Sequence, residues 1–86
     1  MRKILKFPLE GGLGYSHFTC YPNCVPLHVG WQDGLKIWMD TEVVRGVEHY
    51  EFDVFGTGWE MPDNYSGSHV GTVQGTDGYV YHVFMR

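Results

Sequence analysis

Leu27-His28-Val29-Gly30-Trp31-Gln32-Asp33-Gly34-Leu35-Lys36-Ile37-Trp38-Met39-Asp40 is the stretch that decides the fold. Before the Asp33-Gly34 pair, Leu27, Val29 and Trp31 alternate with His28, Gly30 and Gln32. After it, Leu35, Ile37 and Met39 alternate with Lys36, Trp38 and Asp40. A period of two puts one set of side chains on each face of a strand. Asp-Gly between two such runs supplies the positive φ values that a tight hairpin turn needs. The reading is a hairpin with Leu27, Val29, Trp31, Leu35, Ile37 and Met39 on its buried face.

The same period continues outward. Tyr50, Phe52 and Val54 alternate with Glu51 and Asp53, and Gly56-Thr57-Gly58 closes that run as a sharp strand exit. His69 to Gln74, the turn Gly75-Thr76-Asp77-Gly78 and Tyr79 to Met85 read as a second hairpin. Upstream, Lys3 to Leu9 reads as a first strand that Pro8 confines to an edge, because proline has no N–H for a ladder. Glu10 to Gly14 reads as a loop, His17 to Tyr21 as a short strand, and Thr41 to Gly46 as a connection. No helical stripe of useful length occurs. The expected fold is all-β, a small antiparallel sandwich or partly open barrel of about six or seven short strands in a single domain, residues 1–86.

Composition agrees with that class. Twelve glycines and 16% aromatic residues suit tight turns between strands that bury rings. Eighty-six residues bury only about 60–65% of the surface of the unfolded chain, which implies modest stability. Six Lys and Arg are scattered through a chain of net charge −4, so no basic footprint for nucleic acid is present. No apolar run is long enough to span a membrane, and Lys6 and Pro8 interrupt the N-terminal apolar residues too early for a signal peptide. Cys20 and Cys24 are therefore expected as a reduced intracellular pair.

Lys6-Phe7-Pro8-Leu9, Tyr21-Pro22, Ile37-Trp38 with Asp40, Phe55-Gly56-Thr57-Gly58-Trp59, Met61-Pro62, Gly71-Thr72-Val73 and His82-Val83-Phe84 occur in that order. With that order and spacing the chain resembles a family of small tailed-bacteriophage proteins of unknown function. The resemblance implies a phage gene product acting in the cytoplasm of an infected bacterium, and it brings no catalytic residues with it.

Four patterns bear on chemistry. His17, Cys20, Cys24 and His28 offer two imidazoles and two thiols, but zinc sites pair their ligands as Cys-x2-Cys or His-x3–5-His, so no metal and no other cofactor is expected. His82 lies among apolar residues with Asp53 or Glu51 as its expected partner, and no nucleophile accompanies it. Glu48, Glu51, Asp53 and Glu60 read as a solvated strand face. Trp38 faces away from Ile37 and Met39, and Trp59 sits in a turn, which makes them candidates for an interface, where aromatic residues concentrate binding energy.

The expectation is thus a non-enzymatic binding module for a host or phage protein. Its contact residues would be Trp38, Trp59, Asp40, Glu60, Asp63 and Tyr65, and it would have no nucleic-acid or membrane partner. The alternatives are a structural virion component and a metal- or small-ligand-binding protein. The edge strand at residues 3–9 also offers a route to a homodimer.

Overall fold

The computed structural model describes residues 1–9 and 14–86. It is all-β, with β1 (Arg2–Pro8), β2 (Gly14–Cys20), β3 (Val25–Trp31), β4 (Leu35–Glu42), β5 (Glu48–Gly56), β6 (Ser68–Gln74) and β7 (Val80–Met85). The expected loop from Glu10 lies outside the described residues as far as residue 13, and Gly14 already belongs to β2. Two antiparallel sheets form a sandwich that does not close into a barrel, one of order β1-β4-β3 and the other of order β2-β5-β7-β6.

The chain changes sheet between β1 and β2, between β2 and β3, and again between β4 and β5. Both anticipated hairpins form, β3–β4 and β6–β7. At the first, Asp33 and Gly34 both take positive φ, 54° and 110°. Asp tolerates that region through its short polar side chain, and Gly enters it without a Cβ clash.

The inward set is read correctly for β4 and β5. Leu35, Ile37 and Met39 meet Tyr50, Phe52 and Val54, all buried, with Val83 of β7 completing the centre. Thr41 is buried too, and its hydroxyl donates to the Lys3 carbonyl at 2.7 Å. A buried hydroxyl without such a partner would be costly.

Three expectations need correcting. Leu27 does not face the core: it is 51% exposed. A register shift between Pro26 and His28 makes it the extra residue of a bulge, which reverses the alternation on its N-terminal side and turns Val25 outward as well. β2 starts earlier than read, because it pairs with β5 from Gly14↔Val54 to Cys20↔Glu48, and pairing carries a strand past its local propensity. Asp53 faces outward as expected but is not solvated, being only 7% exposed.

The two flanks of the sandwich differ. Where β3 meets β6, Gly71 lies so close to Val29 that a Cβ there would fall 2.6 Å from Val29 Cγ2. Nearby, Trp31 stacks on Tyr81 at 5.6 Å and covers Gly75, where a Cβ would come within 2.8 Å of the indole. Where β1 meets β2, Phe7 stacks on Phe18 at 4.0 Å. Beside that pair a cleft of about 320 Å³ stays open, lined by Leu5, Phe7, Cys20, Tyr21 and Val47.

Candidate interaction surface

The outer face of the three-stranded sheet combines apolar and charged side chains. On β4 the outward positions are Lys36, Trp38, Asp40 and Glu42. Trp38 is half-buried: its ring leans across β3, 5.6 Å from the His28 ring, over the space left by Gly30. A Cβ on Gly30 would fall 3.3 Å from the indole and 3.2 Å from the imidazole, so the absent side chain leaves room for both rings to approach the strand.

Asp40 accepts from Arg2 Nε at 2.8 Å and forms an ion pair with the same guanidinium. That hydrogen bond holds the Asp40 carboxyl below its ordinary value. In register, Asp40 is flanked by Ile4 on β1 and Val25 on β3. Ile4 is 64% exposed and Val25 56% exposed; with the bulge residue Leu27 they flank Trp38 with apolar surface open to solvent. Sequence reading missed all three. For Ile4 a signal was available: β1 carries consecutive Ile4 and Leu5, so one of the two had to face out.

Charge divides unevenly over the molecule. Four of the six Lys and Arg residues, Arg2, Lys3, Lys6 and Lys36, lie on β1 and β4. Asp40 is paired with Arg2, and Glu42 with the N-terminal ammonium at 2.8 Å. Lys3 lies opposite buried Thr41, so the outer face of this sheet carries Arg2, Lys6 and Lys36 beside Asp40 and Glu42, three cationic side chains against two carboxylates in a chain that is acidic overall.

The outer face of the four-stranded sheet is built differently. Asp53 on β5 accepts two hydrogen bonds from Arg86, Nε at 2.9 Å and a terminal nitrogen at 2.8 Å, and a third from the Tyr65 hydroxyl at 2.6 Å. The guanidinium lowers the Asp53 carboxyl below its usual range, while burial and the Asp53 bond push Tyr65 up to about 12. Arg86 also lies over the Tyr15 ring at 4.6 Å. The Tyr65 ring meets Phe55 and Phe84 edge-on, both at 5.3 Å, an arrangement that suits the ring quadrupoles.

His82 does not reach Asp53 or Glu51, as the sequence reading had it. Its Nε2 lies 2.7 Å from the Thr57 hydroxyl and its Nδ1 3.0 Å from the Thr72 hydroxyl, which also contacts His69 Nε2 at 3.1 Å. In a hydroxyl–imidazole–carboxylate triad the carboxylate steadies the imidazolium. Here a second hydroxyl stands in that place, and it fixes the ring without offsetting a positive charge.

The sequence candidates divide between these regions. Trp38 and Asp40 belong to the three-stranded sheet. Trp59, Glu60 and Asp63 are exposed on the β5–β6 connection, and Tyr65 is committed to the cover over Asp53. Trp59, 55% exposed, closes the turn after β5, where its N–H donates to the Gly56 carbonyl at 3.1 Å.

The four residues weighed as zinc ligands also divide. The Cys20 and Cys24 sulfurs are 3.8 Å apart, whereas His17 lies near Tyr15 and His49 on the four-stranded sheet and His28 against Trp38 on the other. Among the described residues, no three His, Cys, Asp or Glu side chains converge as a metal site.

A family described as a domain of unknown function, DUF7352, matches residues 1–86. The chain belongs to that family. No curated protein and no solved structure matches it. Among the described residues of this DUF7352 domain, no helix is long and apolar enough to cross a membrane.

Proposed function

We propose that the protein is a non-catalytic protein-binding module that docks through the outer face of the three-stranded sheet. The observation that carries this reading is the exposure of Ile4, Val25 and Leu27 around the half-buried Trp38, on a sheet face that also carries Arg2, Lys6 and Lys36. An apolar centre with a charged rim is the usual anatomy of a specific interface. The partner that fits is a protein with an apolar surface rimmed by Asp and Glu, since opposite potentials speed encounter and set orientation. The resemblance to tailed-phage proteins supports placing that partner, a host or phage protein, in the cytoplasm of an infected bacterium, where the module would modulate or inhibit it.

The test is affinity capture by tagged protein from infected cells, followed by reconstitution with the captured protein in purified form. Leu27→Asp and Ile4→Asp each place a carboxylate on an already exposed position, so the fold is kept and binding should fall at least about tenfold. Trp59→Ala serves as the contrast. Loss of binding with Trp59→Ala and not with Leu27→Asp would move the interface to the β5–β6 connection. A sizing column on the purified protein reports whether the β1 edge instead joins two copies.

A further inference from the structure

We infer that Cys20 and Cys24 form a dithiol/disulfide pair, a redox site preorganised by the turn between β2 and β3. The inference stands apart from the binding role proposed above. The two sulfurs lie 3.8 Å apart, and a disulfide needs about 2.05 Å. Half-buried Cys20 lines the open cleft, so rotation of its side chain can supply most of the approach.

What holds the thiols together is not their own contact. Asn23, with φ 61°, places the chain in the left-handed region that Asn tolerates, and its N–H donates to Glu48 Oε1 at 2.8 Å. The Cys24 N–H donates to the Tyr50 hydroxyl at 2.9 Å. β5 therefore clamps the turn from outside the cysteine pair.

Oxidation also leaves no buried polar group without a partner. The Cys24 thiol donates to the Tyr21 carbonyl at 3.0 Å, and that bond is lost when the proton leaves. The same carbonyl accepts from the Tyr50 hydroxyl at 2.5 Å, and that bond remains. Neither clamp on the turn involves sulfur, so both survive.

The chemistry balances with a small-molecule disulfide as the oxidant. The Cys20 thiolate, more exposed than buried Cys24, attacks one sulfur of oxidised glutathione and expels a glutathione thiolate, which takes up the proton Cys20 released. The Cys24 thiolate then attacks Cys20 Sγ, breaks the mixed disulfide and expels the second glutathione thiolate, which takes the Cys24 proton. The pair loses two electrons and two protons, and one oxidised glutathione becomes two reduced ones. Burial pushes the Cys20 thiol up, so the first step is slow at neutral pH.

The experiment equilibrates full-length protein in buffers of varying reduced-to-oxidised glutathione ratio, folded and in urea. Acid quenching, alkylation and intact-mass measurement then count the free thiols. The expected result is an intramolecular disulfide that forms in folded protein at a ratio roughly tenfold more reducing than in the unfolded chain, with a higher melting temperature for the oxidised form. Cys24→Ser should stop at one glutathione on Cys20, and Cys20→Ser should stay unmodified while folded. Equal equilibria in the folded and unfolded chains would overturn the inference. So would a glutathione adduct on wild-type Cys20 that never resolves. The wild-type titration decides the matter even if either serine variant fails to fold.

Discussion

The β3/β6 flank and the β1/β2 flank close the same sandwich by different means. At β3/β6 the β6 backbone approaches the Val29 side chain until Gly71 has no room for a methyl group, and Trp31 covers Gly75. At β1/β2, among the described residues, the rings of Phe7 and Phe18 make the stacked contact, with open space beside it. Contact of a backbone with a buried β-branched side chain resists change because Val29 has little rotamer freedom with which to relieve an added atom, whereas contact between half-exposed rings yields at little cost. The first flank sets the distance between the sheets. The second leaves a cleft whose shape can adapt.

Gly71→Ala should produce the largest effect. The added Cβ meets Val29 Cγ2, and overpacking of this kind costs about 2–3 kcal/mol in urea unfolding. Adding Val29→Ala removes the opposing methyls, and the double mutant should recover part of the loss as a favourable coupling. If Gly71→Ala is neutral, the β3/β6 flank is not the rigid one.

Asp53→Asn comes next, at about 2 kcal/mol, because a buried carboxylate that accepts from Arg86 and Tyr65 is replaced by an amide that cannot satisfy all the donors. Its carboxyl sits below its ordinary value in the folded protein. The stabilisation is therefore complete above the unfolded value of about 4 and disappears as pH falls through the lowered folded value. Wild type should lose stability in that acid window, and a series of melting temperatures against pH should show a shallower slope for Asp53→Asn.

Phe7→Ala, on the open flank, should cost only about 1–2 kcal/mol, less than a fully buried aromatic, since Phe7 is half-exposed already. A cost above that of Gly71→Ala would reverse the comparison. Leu27→Asp should be smallest, within about 0.5 kcal/mol of wild type in the same unfolding experiment, because an exposed bulge residue holds nothing together.

Period-two patterning made the core legible where strands of the two facing sheets both obey it: Ile37 and Met39 on β4, Phe52 and Val54 on β5. It failed at Leu27, because a bulge is set by how two strands pair and not by the order of residues in one of them. Pro26 is the local clue, as a residue without an N–H is tolerated at such irregular points. Glycine carried more information than it was given. Gly71 inside a strand signals a close backbone approach, and only the folded chain names Val29 as the neighbour.

The candidate surface was half visible. Trp38 and Asp40 followed from alternation, whereas Ile4 and Val25 join them only through the registers with β4 on either side. Asp53 was placed on the correct face but judged solvated. Its cover, Arg86 and Tyr65, comes from the chain end and from a loop, which no strand pattern connects to it.

The Thr57–His82–Thr72–His69 row has a consequence in proton counting. A hydroxyl owns one hydrogen, so Thr72 can donate to only one of the imidazole nitrogens beside it. With both rings neutral and every contact made, the other nitrogen must donate to Thr72. If His82 carries its hydrogen on Nδ1, then Nε2 accepts from Thr57 and Thr72 donates to His69. If the hydrogen is on Nε2, every arrow in the row reverses. The two histidines are tied into one polarity, and the tautomer of either ring, read by nitrogen chemical shifts, reports the direction of the whole row.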